Sequence, residues 1–146
     1  MPAGADAALA AVERLRRLLP DLADGNDDAQ WLSAALGRYL EMAPAGGDLN
    51  AALGVAVPPG GTPWWQAEAA KARDDAIREL AGTIGGTMNA KAVALQQRLR
   101  RYAAASWPRD RVTKRPTAAN AVPFRVYSAD PNPPTGVRRL TEIIAS

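Results

Sequence analysis

Apolar residues recur at intervals of three and four along most of this chain, the spacing that lines one face of a helix. Leu9, Val12, Leu15 and Leu19 mark a first helix over Ala7–Leu19, with Asp6 placed to cap it and Pro20 to end it. Leu32, Leu36, Tyr39 and Ala43 form one stripe of a second helix, Ala29–Ala43, widened by Trp31 and Leu40, with Asp27 or Asp28 as its cap. The stretch Pro44-Ala-Gly-Gly47 stops it, and Asp48 opens a short turn, Leu49–Leu53, that Gly54 closes. A third helix is predicted over Trp64–Ile84, with Thr62 as N-cap, Pro63 at the first helical position and Gly85-Gly86 as terminator. Its stripe is Ala69, Ala76, Ile77, Leu80 and Ile84, interrupted by Arg73. The fourth helix, Ala90–Ser106, starts at Asn89 and carries Ala92, Leu95, Leu99 and Tyr102 on one continuous face.

Beyond Pro108, which should end the fourth helix, the composition changes. Val112–Arg115 and Phe124–Tyr127 are rich in β-branched and aromatic residues and read as two strands, paired as a hairpin or held as an extended arm. A Pro-rich loop, Asp130–Pro134, leads to a last short helix, Gly136–Ala145. The expected fold is therefore mainly α: a small helical bundle with a C-terminal β-hairpin or extended arm. The segment Val55–Pro63, V-A-V-P-P-G-G-T-P, reads as a linker. It separates an N-terminal helical region, residues 1–54, suited to packing or self-association, from a unit over residues 64–146.

Composition limits the core. Of 146 residues 47% are hydrophobic, but 32 are Ala, so the large apolar side chains are few and helices that approach closely suit the chain best. There is no Cys and no His. That excludes a disulfide framework, a thiolate zinc site, a His-based triad and a His general base. No apolar run approaches the ~20 residues of a membrane span, and Glu13, Arg14, Arg16 and Arg17 interrupt what would be an N-terminal signal core. A cytoplasmic protein is expected, in a host cytoplasm or a virion if phage-encoded, with no membrane partner.

Charge changes the picture more. The net charge is +3, yet residues 1–90 hold 7 basic and 12 acidic residues, whereas residues 91–146 hold 11 basic and 3 acidic ones. A net of −5 thus faces a net of +8, and the basic half implies an anionic partner. The helix pair around Gly85-Gly86 resembles a helix-turn-helix. It has a small residue, Ala81 or Gly82, at the crossing, a Gly in the turn and apolar positions Ala92 and Leu95 beyond it. Its second helix carries Lys91, Gln97, Arg98, Arg100 and Arg101. Arg109, Arg111, Lys114 and Arg115 follow, where a winged motif would place its basic hairpin. The candidate nucleic-acid-binding residues are Lys91, Gln97, Arg98, Arg101, Arg109, Arg111, Lys114 and Arg115. Guanidinium, ammonium and amide groups are the donors that hold phosphates and read base edges. Two Ala-rich helices joined by a Gly-rich turn are equally at home in any helical bundle.

Trp64 and Trp65 open the third helix together and are the candidate protein-interface residues, because Trp is enriched at binding hot spots. For chemistry the pattern is poor. Asp75 and Glu79 are one helical turn apart, but beside Lys71 and Arg78 they read as a solvated face. Asp24–Asp28 lacks the spacing of a calcium loop, and there is no phosphate loop, nucleophile elbow or dinucleotide fingerprint. No catalytic residue, metal ligand or cofactor is assigned.

The block Arg73–Arg111, with the ending Val137-Arg-Arg-Leu-Thr-Glu-Ile-Ile144, resembles small helical proteins of bacterial prophages and mobile elements. The resemblance implies a phage-type context without a mechanism. Residues and resemblance together lead to the expectation of a non-enzymatic DNA-binding protein, a regulator or small packaging subunit. The alternatives are a structural or adaptor module that meets a protein partner or itself, and an inhibitor of a host system.

Overall fold

The computed structural model describes the backbone of residues 3–146 and the side chains from Ala8 onward. It is mainly helical, and no strand occurs among the described residues. The chain divides into two compact units, Met1–Pro63 and Trp64–Ser146.

In the first unit, α1 (Ala3–Ala23) packs against α2 (Asp27–Met42), and α2 against the short α3 (Leu49–Leu53). The α1 helix begins before Asp6, so Asp6 lies within it rather than at its cap; the Asp6 side chain is outside the described residues. It also continues past Pro20, which was expected to end it. Asp24 N–H donates to Pro20 O at 3.1 Å, so the last turn closes on the proline carbonyl, which accepts as any residue's does, and only the bond from position 20 back to Arg16 O is lost. Asn26, one residue before the expected Asp27 or Asp28, caps α2 by accepting from Ala29 N–H at 3.0 Å. That leaves Asp27 and Asp28 in the first turn, where the helix dipole favours them. Asp48 caps α3 and Gly54 closes it in the left-handed conformation. The only side chains fully buried among the described residues of this unit are Ala35 and Ala52. Leu15, Leu19, Leu32 and Leu36 are half-buried. Two hydrogen bonds fasten the pieces: Ser33 Oγ donates to Leu19 O at 3.0 Å, and Arg38 Nη2 to Ala52 O at 2.9 Å.

The second unit holds the large core. It contains α4 (Trp64–Gly82), α5 (Met88–Ala105), α6 (Trp107–Thr113), α7 (Ala121–Ala129) and α8 (Val137–Ala145), with a 3-10 turn at Ala118–Asn120. Ala76, Ile77, Leu80 and Ala81 of α4 meet Ala92, Leu95, Leu99 and Tyr102 of α5, Val126 and Tyr127 of α7, and Leu140 and Ile143 of α8. The α4 helix packs chiefly against α7, and α8 lies against both α4 and α5. Arg73, the charged exception on the α4 stripe, meets Asp74 and, at 2.9 Å, Asp130 just beyond α7. Thr87, not Asn89, caps α5, its Oγ1 accepting from Ala90 N–H at 3.3 Å. Gly86 turns the backbone through φ +104°, and Thr87 directly after it places its hydroxyl over the first turn of α5.

The expected hairpin is a correction. Val112 and Thr113 belong to α6, Lys114 caps that helix at φ +55°, and Phe124–Tyr127 lies inside α7. Pro108 falls in the first turn of α6, where a missing N–H is harmless, and so starts a helix just after Ser106 breaks α5. In α7 the buried residues are Pro123, Val126 and Tyr127, a helical spacing, whereas Arg125 and Ser128 are exposed. The aromatic content that suggested a strand serves a cluster instead: Trp107, Phe124, Tyr127 and Tyr102 stack with ring centres 5.6–6.4 Å apart.

Asp110 is the one fully buried charged side chain among the described residues. Tyr102 Oη donates to its Oδ2 at 3.1 Å, and Arg109 donates twice to its Oδ1, at 2.9 and 2.7 Å. This network welds α6 to the end of α5. Asp110→Ala would strand the Tyr102 hydroxyl and should lower unfolding free energy by about 1–3 kcal/mol. Leu99→Ala, which empties the core centre, should cost about 2–5 kcal/mol. Urea denaturation of the full chain measures both, and an unchanged midpoint for Asp110→Ala would contradict the network.

The two buried tyrosines predict an alkaline transition. Burial, then the Asp110 hydrogen bond and charge, push the Tyr102 phenol well above its ordinary 10.0, and burial raises Tyr127. Both groups keep their protons in the folded state at pH values where the unfolded chain loses them. Their stabilisation is complete below pH ~10 and is lost as the pH rises through the folded-state values. Denaturation midpoints should therefore fall above pH ~10, with a shallower fall in Tyr102→Phe; identical pH profiles for the two proteins would contradict this.

Candidate nucleic-acid interface

The second unit, Trp64–Ser146, contains 14 basic and 7 acidic residues. Six of the acids are in ion pairs: Asp74 and Asp130 with Arg73, Asp75 with Arg78, Glu79 with Arg125, Asp110 with Arg109, and Glu142 with Arg138 and Arg139. Only Glu68 has no such partner among the described residues. Pairing thus uses Arg73 and Arg78 of α4, Arg109 of α6, Arg125 of α7 and Arg138 and Arg139 of α8, and leaves eight cations without a carboxylate. Seven of these eight lie between Lys91 and Arg115: Lys91, Arg98, Arg100, Arg101, Arg111, Lys114 and Arg115.

Helix geometry sorts them. With Ala92, Leu95, Leu99 and Tyr102 turned inward, Lys91, Arg98 and Arg101 fall at i, i+7 and i+10 along one flank, with Gln97 beside them on the outer face. Arg100 falls on the opposite flank, beside Trp107, Tyr127 and Pro133. Lys91 is half-buried; Gln97, Arg98 and Arg101 are exposed. The Lys91 flank borders a groove of about 420 Å³ between α5 and the start of α7. Its walls include Gln97, Arg98, Arg101, Ser106 and Asn120, and no carboxylate. Arg98 Nη2 donates to Ala119 O at 3.2 Å, which steadies its guanidinium, and Asn120 Nδ2 donates to Ser106 Oγ at 3.2 Å. Arg101 and Gln97 make no hydrogen bond through their side chains among the described residues.

Of the eight residues singled out from sequence, the structure brings Gln97, Arg98 and Arg101 together at this groove. Lys91 stands on the same flank, two turns before Arg98. Arg111, Lys114 and Arg115 are exposed on α6 and the segment after it, presented by a helix and its left-handed cap rather than by a strand. Arg109 stands apart from the others, because its guanidinium is engaged with Asp110. Ser106 and Asn120 were missed. Asn120 stands three residues before a proline and Ser106 two, a spacing that signals a helix start rather than a hairpin turn. Trp64 and Trp65 are each 54% exposed and pack edge-to-face at 5.9 Å, at the open end of α4.

No group of three acidic, His or Cys residues that could hold a metal ion occurs among the described residues, and no described helix is long and apolar enough to cross a membrane. No family model, curated protein or solved structure matches this chain.

The division between engaged and free cations is measurable. Arg109→Ala leaves a buried carboxylate short of its partner. Discounted for the exposure of the guanidinium, the loss should be roughly 1–2 kcal/mol of stability. Arg111→Ala should change stability by less than about 0.5 kcal/mol. Equal melting temperatures for the two variants would refute the distinction.

Proposed function

We propose that this chain is a non-enzymatic DNA-binding protein, in keeping with the phage-type context its sequence suggests, and that α5 and α6 form the contact surface. The carrying observation is the set of seven cations without carboxylate partners between Lys91 and Arg115, in a unit where six of seven acids are matched. Clustered like charges repel one another, and an anionic polymer relieves that repulsion. Guanidinium groups stay protonated at all physiological pH values, so they suit binding rather than proton transfer.

In this reading α4 and α5 act as a helix-turn-helix pair, with Thr83–Thr87 as the turn. Thr83 and Ile84 close α4 by donating to Leu80 O and Ala81 O at 3.2 and 3.0 Å. Of the two small residues near the end of α4, Ala81 is buried and Gly82 is exposed. Recognition helices read bases with their N-terminal residues. The first turns of α5 carry only Lys91 as a charge, and the cations gather in its second half and on α6. The contacts are therefore chiefly to phosphates, which position a protein on DNA without specifying sequence. The paired, exposed Trp64 and Trp65 favour a second reading, a docking module for a protein subunit, in which the basic face meets acidic side chains.

Fluorescence anisotropy with labelled DNA over a salt series tests the first reading. With about five cations on phosphates, the logarithm of the association constant should fall with a slope of about −4 to −5 against the logarithm of salt. Arg98→Ala and Arg101→Ala should each weaken binding and reduce that slope by about 1, whereas Arg139→Ala, already engaged with Glu142, should change affinity less than about twofold. No binding to any DNA at low salt would sink the reading and favour the protein partner.

A further inference from the structure

A phosphate contact needs only a cation on a surface, and the groove beside Arg98 and Arg101 offers more than that. Its volume of about 420 Å³ lies in the range of sites that enclose small molecules, about 300–1,000 Å³. A bare phosphate would occupy a small part of it. The lining falls into two classes. Arg98, Arg101, Gln97 and Asn120 supply N–H donors, and Ser106 a hydroxyl; Ala94, Ala105, Ala119 and Pro123 supply an apolar wall. Donors that face an apolar wall, with no carboxylate among the lining residues, match a ligand with an anionic end and a flat or apolar body.

We infer that this groove holds one unstacked nucleotide, with its phosphate between the Arg98 and Arg101 guanidiniums and its sugar and base along the wall of Ala94, Ala105, Ala119 and Pro123. Arg98 is steadied by Ala119 O, so it needs little ordering on binding, and Arg101 brings a guanidinium with no other engagement. A nucleotide inside a duplex is paired and stacked and cannot enter such a groove, whereas one in a single strand or at a strand end can. The inference rests on the nucleic-acid reading of the α5–α6 face and narrows it: the protein prefers single strands, or ends, over duplex interior. The same chemistry describes a free mononucleotide, and the test separates the two sources.

Titration calorimetry of the full chain with thymidine monophosphate, inorganic phosphate and thymidine addresses the groove itself. The monophosphate should bind at least about tenfold more tightly than either fragment. Oligothymidylate should displace it, and a blunt duplex of equal length, with its ends closed by hairpins, should displace it at least about tenfold less well. Arg101→Gln should weaken the monophosphate by about tenfold or more. Ala105→Glu, which sets a carboxylate in the groove from an exposed position, should abolish binding, while Arg139→Gln, on α8 and paired with Glu142, leaves it unchanged. Monophosphate binding that no oligonucleotide displaces would assign the groove to free nucleotides and overturn the preference for strands. Salt-dependent duplex binding, with a monophosphate no tighter than inorganic phosphate, would overturn the groove assignment and leave the DNA reading standing. Absence of binding to single-stranded and duplex DNA alike would remove the reading beneath both.

Discussion

The inward face of α5 governs the second unit. Ala92, Leu95, Leu99 and Tyr102 are all buried, so the rotation of this helix about its axis has no freedom left. Side chains that follow the same helical period must then appear at defined angles, and the Lys91–Arg98–Arg101 flank is held outward by burial on the far side. The Ala residues on both α4 and α5 matter as much as the leucines. Ala76, Ala81 and Ala92 keep the helix surfaces low, so that a chain with few large apolar residues still fills its interior. Tyr127 of α7 reaches this same helix, its hydroxyl donating to Leu99 O at 3.2 Å.

Electrostatics then divides the surface. Arg78 illustrates the engaged class: it donates to Ile143 O and Ser146 Oγ at the end of α8 as well as pairing with Asp75. Such guanidiniums are structural ties. Arg98 and Arg101, one turn apart on the exposed flank, are of the other kind, and as like charges at i and i+3 they cost the free protein a few tenths of a kcal/mol. No carboxylate lines the groove beside them to offset that cost.

Asp110 links the two halves of this arrangement. It lies in the most basic stretch of the chain, between Arg109 and Arg111, where its charge would be expected to face solvent among theirs. Instead it is buried under Tyr102, and it fixes the angle at which α6 leaves α5. The direction in which Arg111, Lys114 and Arg115 project depends on that hydrogen bond. Lys114 completes the turn in a left-handed conformation that glycine adopts more readily, which keeps a cation at the end of α6.

Helical periodicity made α2, α4, α5 and α8 legible to within a few residues, Asp48 and Gly54 marked α3 as a short turn, and the charge imbalance marked Lys91–Arg115 as the distinctive stretch. The same local rules failed where a residue has two uses. Pro108 read as a breaker because proline lacks a donor, yet it stands in the first turn of α6, where that lack does not matter. Val126 and Tyr127 read as strand residues because β-branched and aromatic side chains favour half-buried surfaces, whereas both are buried on α7, Tyr127 against Trp107 and Tyr102. Sequence alone determined which residues could be cationic, apolar or capping, since those are properties of single side chains and their spacing. Which arginines are engaged, that Asp110 is buried, and that Asn120 lines one groove with Arg98, Arg101 and Ser106 were decided only by the tertiary structure. Each depends on which groups the folded chain brings together, from near neighbours such as Arg109 and Asp110 to distant ones such as Arg125 and Glu79, and no local pattern records that choice.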